Sequence, residues 1–299
     1  MTTRKSLDGS AVGLMILLCI CWGLQQVAVK LAVPVIGSTV QLGLRSGLAA
    51  ALVVLLILIK KIPFSLRDRH FLPGLTAGLL FALEFLCISA GLNYTSASHM
   101  SVFLYTAPIF TVLGLHWLIP AERLQPRQWL GIASAFAGVA LAFSGAFGVS
   151  GRAMTDMLTG DALAVLAAIL WAATTVTIRK SSLSEAEPTT TLFYQLSGAA
   201  IILLAVAFLR GEQLLTPWNQ TAWISMLFQT FVIAFASYLA WFWLLRRYLA
   251  SRLSVFSFLT PLFGVAAGVV LMHDPISPRF AIGAVLVLAG IVLVNFRRN

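Results

Sequence analysis

The sequence predicts an all-α membrane protein whose ten transmembrane helices form two inverted five-helix repeats around a central cavity. Three observations predict this fold class. Hydrophobic residues make up 60% of the 299-residue chain and charged residues only 10%, against roughly 25% charged residues in soluble domains. Ten apolar stretches are long enough to cross a hydrocarbon core, which takes about 20 helical residues. Part of the first half of the chain also recurs in the second half.

The ten apolar stretches are separated by short loops. They cover residues 11–32, 38–59, 71–91, 97–119, 127–145, 158–179, 189–209, 221–244, 252–272 and 279–296. The loops leave no room for a soluble domain with a separate catalytic or regulatory role. Any activity is therefore expected among the helices.

The loop charges predict the orientation in the membrane. An even number of spans places both termini on one side, and fifteen of the 20 basic residues fall on that side. The opposite side has only Lys30, Arg152, Arg210 and Arg279, and Arg45 lies inside the second span. Because cytoplasmic loops carry the excess of Lys and Arg, both termini are expected in the cytoplasm. The same clusters account for the net charge of +10 without a nucleic-acid partner.

An internal repeat divides the chain into residues 1–147 and 148–299. Seven residues of the fourth span recur 153 positions later in the ninth: Ala97, Ser98, Ser101, Val102, Phe103, Pro108 and Phe110 match Ala250, Ser251, Ser254, Val255, Phe256, Pro261 and Phe263. Since each half has five spans, the second half enters the membrane from the opposite side. Inverted repeats of this kind are typical of transporters.

Polar and aromatic residues share one face of the first and sixth spans. Trp22, Gln25 and Gln26 are followed by Lys30, and Trp171 and Thr174 are followed by Arg179, at matching helical spacing. These polar faces line a cavity or form interhelical hydrogen bonds that hold the bundle together. Lys30 and Arg179 lie near span ends, where long cations extend to the lipid headgroups.

Two charged residues lie deeper in the membrane. Arg45 and Glu84 fall at similar depth in the second and third spans. A charge at this depth is costly unless it is paired or faces a cavity. Glu84 therefore contacts the ammonium group of a substrate, takes up a proton, or pairs with Arg45 in a purely structural ion pair.

Aromatic residues and prolines mark further candidates for a binding site. Tyr238 and Trp241 lie in an aromatic eighth span, where Tyr238 is a candidate pocket wall. Tyr105 and Thr106 precede Pro108 in the fourth span, and Pro261 stands at the matching place in the ninth. Because proline frees a backbone carbonyl and kinks a helix, the two prolines are candidate hinges next to a central site.

The sequence has no signature of an enzyme. It contains no zinc-protease motif, serine-hydrolase elbow, P-loop or dinucleotide fingerprint. The three cysteines, Cys19, Cys21 and Cys87, lie in apolar runs without metal-ligand spacing. We therefore expect no catalytic residues, no metal and no cofactor.

Several of these residues resemble the EamA-type family of the drug/metabolite transporter superfamily. The run Cys21, Trp22, Gly23 followed by Lys30 is similar to the family's first span, and Arg45 to its second. The stretch from Tyr105 through Pro108 to Glu122, Arg123, Leu124, Gln128, Gly131 and Gly138 resembles its most specific pattern. The sequence departs from that pattern in the second half, where His273, Asp274 and Pro275 stand near the position that corresponds to Glu122.

The resemblance implies a carrier that exports amino acids or related metabolites across a bacterial inner membrane. The bulk of Trp22, Tyr105, Trp171, Tyr238 and Trp241 is closest in character to exporters of aromatic amino acids. The expected partners are a small-molecule substrate and membrane lipid, and a monomer is expected to suffice. Efflux of drugs or hydrophobic metabolites is the alternative, and a polytopic enzyme or scaffold is a third hypothesis. Proton coupling and downhill facilitation both remain open.

Overall fold

The computed structural model of the chain describes residues 8–64, 68–118, 124–144, 151–213, 217–248, 256 and 259–295. Twelve α-helices run through the described residues: α1 Gly9–Ala32, α2 Ser38–Ile59, α3 Phe71–Gly91, α4 Ala97–Leu104, α5 Ala107–Leu118, α6 Pro126–Ser144, α7 Arg152–Lys180, α8 Pro188–Leu209, α9 Gln220–Leu227, α10 Tyr238–Arg247, α11 Leu259–Met272 and α12 Pro278–Asn295. A π-helix at Phe228–Ser237 joins α9 to α10, and a single 3-10 turn spans Ser182–Ser184.

These helices confirm the predicted all-α membrane fold. Seven helical stretches are long and apolar enough to cross a membrane, and the shorter apolar helices in α6, α11 and α12 occupy the three remaining predicted spans. The outer surface suits lipid, since large side chains such as Leu58, Leu72, Ile201 and Leu209 are 67 to 81% exposed. In water such a surface would be unfavourable, whereas acyl chains accept it.

The packing of the spans shows the symmetry of an inverted repeat. Span 4 (α4 and α5) packs on span 6 (α7), and the matching span 9 (α11) packs on span 1 (α1). Span 3 (α3) packs on span 7 (α8), and span 8 (α9 to α10) packs on span 2 (α2). Span 3 also packs on span 6 (α7), and span 8 packs on span 1 (α1). The contacts of α2 with α8, α4 with α11 and α6 with α12 join each span to its own counterpart. Each of these major pairs thus has a mate in the other half or joins two matching spans.

Small residues allow these helices to approach closely. A Cβ atom on Gly198 of α8 would lie 2.8 Å from the carbonyl oxygen of Gly78 in α3. A Cβ on Gly138 of α6 would lie 2.6 Å from the carbonyl oxygen of Gly283 in α12. Both distances are shorter than real Cβ contacts, so only glycine fits at these crossings. Close backbone packing replaces the hydrophobic effect as the force that joins helices in lipid.

Three spans differ from their predicted form. Span 6 begins at Arg152 rather than 158, so Asp161 lies nine residues inside a helix instead of near its start. Span 8 contains the ten-residue π-helix, which hydrophobic periodicity cannot reveal. Span 4 breaks at Tyr105 and Thr106 because Pro108 has no N–H to donate to the carbonyl of Leu104.

Candidate functional site

The aromatic part of the candidate site combines residues from both halves. The Tyr105 and Trp171 rings meet edge to face, with their centroids 5.4 Å apart and their planes at 82°. Tyr238 belongs to the same apolar cluster. Tyr105 is 8% exposed, while Trp171 and Tyr238 are half-buried. Tyr105 at the break before α5, Trp171 of α7 and Tyr238 of α10 therefore come together in one apolar cluster within the bundle.

Trp241 lies in a different cluster from this trio. Its ring contacts Trp22 of α1 with centroids 5.8 Å apart and planes at 75°. The Trp22 indole N–H donates to Ser237 Oγ at 2.8 Å, which fixes this pair against the end of the π-helix. Cys19 and Leu244 share the cluster. The structure thus divides the predicted aromatic residues into a Tyr105–Trp171–Tyr238 group and a Trp22–Trp241 group.

Arg45 and Glu84 lie at the same depth, as predicted. Arg45 is seven residues after the start of α2, and Glu84 is seven residues before the end of α3. These helix ends are on the same side of the bundle, so both residues are about 10 Å below it at 1.5 Å per residue. Arg45 is 2% exposed and Glu84 is 5% exposed. Both are thus charged residues buried at membrane depth.

Arg45 and Glu84 do not form the direct ion pair that their shared depth would permit. Arg69–Glu185, His99–Asp161 and Arg152–Asp156 do form salt bridges, each with N···O at or below 4.0 Å, whereas Arg45 and Glu84, both among the described residues, form none with each other. The Arg45 guanidinium instead lies over the Phe85 ring, 4.5 Å from its centroid. Arg45 Nε and Nη1 and Glu84 Oε2 have no hydrogen-bond partner. Tyr238 and Glu84 are electrostatic neighbours of Arg45.

The other predicted polar residues differ in what they contact. Gln25 and Gln26 are buried, and Gln26 Oε1 has no partner. The Thr174 hydroxyl donates to the carbonyl of Leu170 at 2.9 Å. The Thr106 hydroxyl donates to the carbonyl of Phe103 at 2.6 Å. Both threonine hydroxyls thus donate their hydrogen bonds within their own spans. Towards a solute they can act only as acceptors.

The two predicted hinges are also in different settings. Pro108 follows an actual break between α4 and α5. Pro261 lies within α11, two residues after Leu259, and Ser257 and Phe258 are outside the described residues. Among the described residues a break is visible at Pro108, and the chain directly before α11 lies outside them.

A buried polar cluster that the sequence analysis missed lies at the end of the bundle opposite the termini, called here the far end. Asp161 of α7 is fully buried, and its two carboxylate oxygens lie 3.0 and 2.9 Å from His99 Nδ1. The Thr95 hydroxyl donates to the same carboxylate at 2.5 Å. Lys30 Nζ donates to the Thr95 carbonyl at 2.5 Å. Lys30 thus does not extend to the lipid headgroups as expected.

Two further contacts strengthen the far end. The Asp274 carboxylate accepts from the Ser98 N–H at 2.9 Å and from the Ser98 hydroxyl at 2.8 Å, so it caps α4. Gln229 in the π-helix donates to Gln41 Oε1 at 2.9 Å. The available signals were three polar residues in or beside apolar runs, namely Asp161 near the predicted start of span 6, His99 and Asp274. Each of these residues is informative only together with a contact partner that is distant in the sequence.

A surface groove lies apart from all these residues. It has a volume of about 560 Å³ and is lined by Val54, Ile57, Leu58, Lys61, Ile62, Phe64 and Phe193, at the other end of α2 from Arg45. None of the predicted site residues lines it, so the predicted central cavity stays a prediction. No group of three or more His, Cys, Asp or Glu side chains in the described part of the chain is placed to hold a metal ion.

Comparisons with known proteins agree on one family. The profile of the EamA-like transporter family matches residues 9–144 and again 158–296. A probable amino-acid metabolite efflux pump of Salmonella typhimurium is 28% identical over 95% of this chain and 94% of its own length. Its Escherichia coli counterpart, with the same description, is 26% identical over 95% and 94%. The uncharacterized transporter YoaV of Bacillus subtilis is 24% identical over 92% and 93%.

A solved structure confirms the fold. A crystal structure described only as that of a protein superposes with a TM-score of 0.66 at 20% identity, covering 98% of both chains. The family motif around Glu122 and Arg123 lies outside the described residues. Two family matches, full-length relatives that are transporters, and ten apolar helices agree. The chain belongs to the EamA-like transporter family and is a multi-pass membrane transporter.

Proposed function

We propose that this transporter exports amino acids, including aromatic and apolar ones, or related small metabolites by alternating access. The observation that carries the proposal is the apolar cluster that contains Tyr105, Trp171 and Tyr238, with Arg45 and Glu84 as electrostatic neighbours of Tyr238. An aromatic wall beside buried polar atoms without partners suits a solute that is part apolar and part charged. Two full-length relatives described as probable amino-acid metabolite efflux pumps support the same substrate class.

The alternating movement involves the two repeats, residues 1–147 and 148–299. Tyr105 belongs to the first repeat and Trp171 and Tyr238 to the second, so a bound solute contacts both. In the structure the far end is closed by contacts between the repeats, including Asp161 with His99 and Asp274 with Ser98. Release at this end requires those contacts to separate. Pro108, at the break in span 4, is the proposed hinge, and Pro261 is its proposed counterpart.

The loop charges support export from the bacterial cytoplasm across the inner membrane. The termini fall on the side with fifteen basic residues, which supports a cytoplasmic position for them and an external position for the far end. The single chain contains both repeats, so a monomer is sufficient. No cofactor enters the proposed cycle.

Flux into proteoliposomes tests the proposal. The purified protein is reconstituted and given radiolabelled phenylalanine, leucine and a cationic hydrophobic dye in parallel. We expect the two amino acids to move at rates well above protein-free liposomes. Movement of the dye without the amino acids would favour drug efflux instead, and movement of none of them would contradict the proposal.

The same liposomes address energy coupling. Flux is measured with and without an imposed pH gradient, because Glu84 is a carboxyl group buried in the site. Acceleration by the gradient that is lost in Glu84→Gln would identify proton exchange at this residue. Equal flux in both conditions would identify downhill facilitation.

A further inference from the structure

A basic and an acidic side chain, Arg45 and Glu84, lie within electrostatic range of each other in the proposed site but form no salt bridge. Arg45 and Glu84 are both more than nine-tenths buried, and each influences the other electrostatically. They nevertheless form no salt bridge, while Arg45 Nε and Nη1 and Glu84 Oε2 have no hydrogen-bond partner. A structural ion pair at membrane depth would be expected to close, because an unpaired buried charge is strongly unfavourable.

The surroundings explain why the pair stays open. Phe85 follows Glu84 in α3, and its ring holds the Arg45 guanidinium at 4.5 Å by a cation–π contact. The contact satisfies the face of the guanidinium and leaves Nε and Nη1 without a hydrogen-bond partner. Tyr238 of the second repeat is an electrostatic neighbour of both Arg45 and Glu84. The result is a positive and a negative pole with unused donors and an unused acceptor between aromatic walls.

We propose that Arg45 and Glu84 are the specificity-determining poles for a zwitterion: the guanidinium binds a carboxylate of the solute and Glu84 binds its ammonium group. This inference rests on the proposed function, and it names the two residues that select the substrate. The Tyr105–Trp171 pair then receives the apolar side chain. Only a solute that bears both charges satisfies all three unpartnered atoms at once.

Other solute classes leave one pole unsatisfied. A simple carboxylate satisfies Arg45 and brings a second negative charge toward Glu84. An organic cation satisfies Glu84 and leaves Arg45 unpaired. A neutral hydrophobic compound leaves both poles unpaired. Because a site with committed polar groups strongly rejects an analogue that lacks the matching group, each truncated analogue is a specific probe.

The test uses phenylalanine and two analogues that each lack one charge. Phenylalanine methyl ester keeps the ammonium group, and N-acetylphenylalanine keeps the carboxylate. In wild-type proteoliposomes we expect both to compete with labelled phenylalanine at least about tenfold less effectively than phenylalanine itself. This comparison needs no substitution and therefore does not depend on the folding of a variant.

Variants then assign each charge to a residue. Arg45→Gln should lose most of its preference for phenylalanine over the ester, and Glu84→Gln should lose most of its preference over the N-acetyl compound. The matched controls are Arg69→Gln and Glu185→Gln, which neutralise a salt bridge of 2.7 Å whose side chains are 67 and 66% exposed. Both controls should keep the wild-type order of the three compounds.

The outcomes separate this inference from the proposed function. If no amino acid moves in wild type, the proposed function fails and this inference fails with it. If phenylalanine moves and the ester and N-acetyl compound compete equally well with it, only the zwitterion assignment is overturned. The same holds if Arg45→Gln and Glu84→Gln lower the binding of all three compounds by one common factor.

Discussion

The far end and the middle of this transporter both bury charged groups, but they treat them in opposite ways. At the far end the Asp161 carboxylate contacts His99 and the Thr95 hydroxyl, and Asp274 contacts Ser98 twice. In the middle Arg45 and Glu84 leave donors and an acceptor unused. The first arrangement joins α7 to α4 and so links the two repeats. The second forms no such link, and under the proposed function its unused groups receive the solute.

The contrast follows from what each region has to do in a carrier cycle. Contacts at the far end need to hold one conformation and still release it, so hydrogen-bonded charge pairs between different spans are suitable. A substrate site needs unused hydrogen-bonding groups, which are costly until a ligand arrives. Under the proposed function, charge pairing therefore distinguishes the contacts that set conformation from the residues that recognise a solute.

The largest expected effect comes from removing the paired carboxylate at the far end. Asp161→Ala leaves His99 Nδ1 and the Thr95 hydroxyl buried without their partner, a loss of about 3 kcal/mol or more. We expect the midpoint of thermal unfolding in detergent to fall by about 5 °C or more. Arg45→Gln removes a charge without a salt bridge and should change the midpoint much less. Equal falls of the unfolding midpoint in Asp161→Ala and Arg45→Gln would contradict the contrast between the far end and the middle of the bundle.

A large effect on flux is expected when a residue of the aromatic wall, formed by Tyr105, Trp171 and Tyr238, is replaced by alanine. Trp171→Ala removes the edge-to-face partner of Tyr105, and Tyr238→Ala removes the neighbour of both poles. Each should lower phenylalanine flux by about tenfold, since a lost aromatic contact of roughly 1.4 kcal/mol corresponds to that factor. Initial rates in proteoliposomes measure the effect, and size-exclusion profiles confirm folding.

A matched aromatic pair outside the site provides the control for this wall. Trp218 and Trp223 also pack edge to face, with centroids 4.5 Å apart, and Trp223 is 53% exposed. Trp223→Ala should therefore leave phenylalanine flux within about twofold of wild type. Flux equal to wild type in Trp171→Ala, or an equal loss in Trp223→Ala, would remove the aromatic wall from the site.

The sequence was sufficient for features that depend on composition and spacing along one helix. Span number and the shared depth of Arg45 and Glu84 follow from apolar length and helical rise, because the bilayer imposes both on each helix separately. The duplication follows from the seven residues of span 4 that recur in span 9. The sequence predicted that Tyr105 and Trp171 belong to one site, but it did not predict that they touch. Their edge-to-face contact depends on how α7 packs beside span 4.

Features that depend on distant contacts were out of reach of the sequence. His99 and Asp161 are 62 residues apart, and each alone is an isolated polar residue at the edge of an apolar run. The π-helix at Phe228–Ser237 reads as an ordinary apolar segment, since its register is fixed by tertiary bonds such as Gln229 to Gln41. The unformed Arg45–Glu84 bridge also depends on Phe85, whose position over the guanidinium is a property of the fold.

A moderate effect is expected where the middle of the bundle meets the far end. Pro108→Ala restores an N–H that can donate to the Leu104 carbonyl and so favours a continuous span 4. We expect phenylalanine flux to fall about threefold while thermal stability is unchanged or higher, because a hinge matters to the cycle and not to one state. Pro188→Ala is the matched control, since Pro188 occupies the first turn of α8. Equal flux in Pro108→Ala and wild type would count against the hinge.

The smallest expected effect comes from the charge pair at the end that carries the termini. Arg69 and Glu185 form a salt bridge of 2.7 Å, yet their side chains are 67 and 66% exposed. Water and salt screen such a pair, so Arg69→Gln should change stability by less than about 1 kcal/mol and leave flux unaltered. Unfolding midpoints at low and high salt measure the difference. A loss as large as that of Asp161→Ala would show that burial does not decide which charge pairs hold this bundle together, and the distinction between its paired and unpaired charges would lose its physical basis.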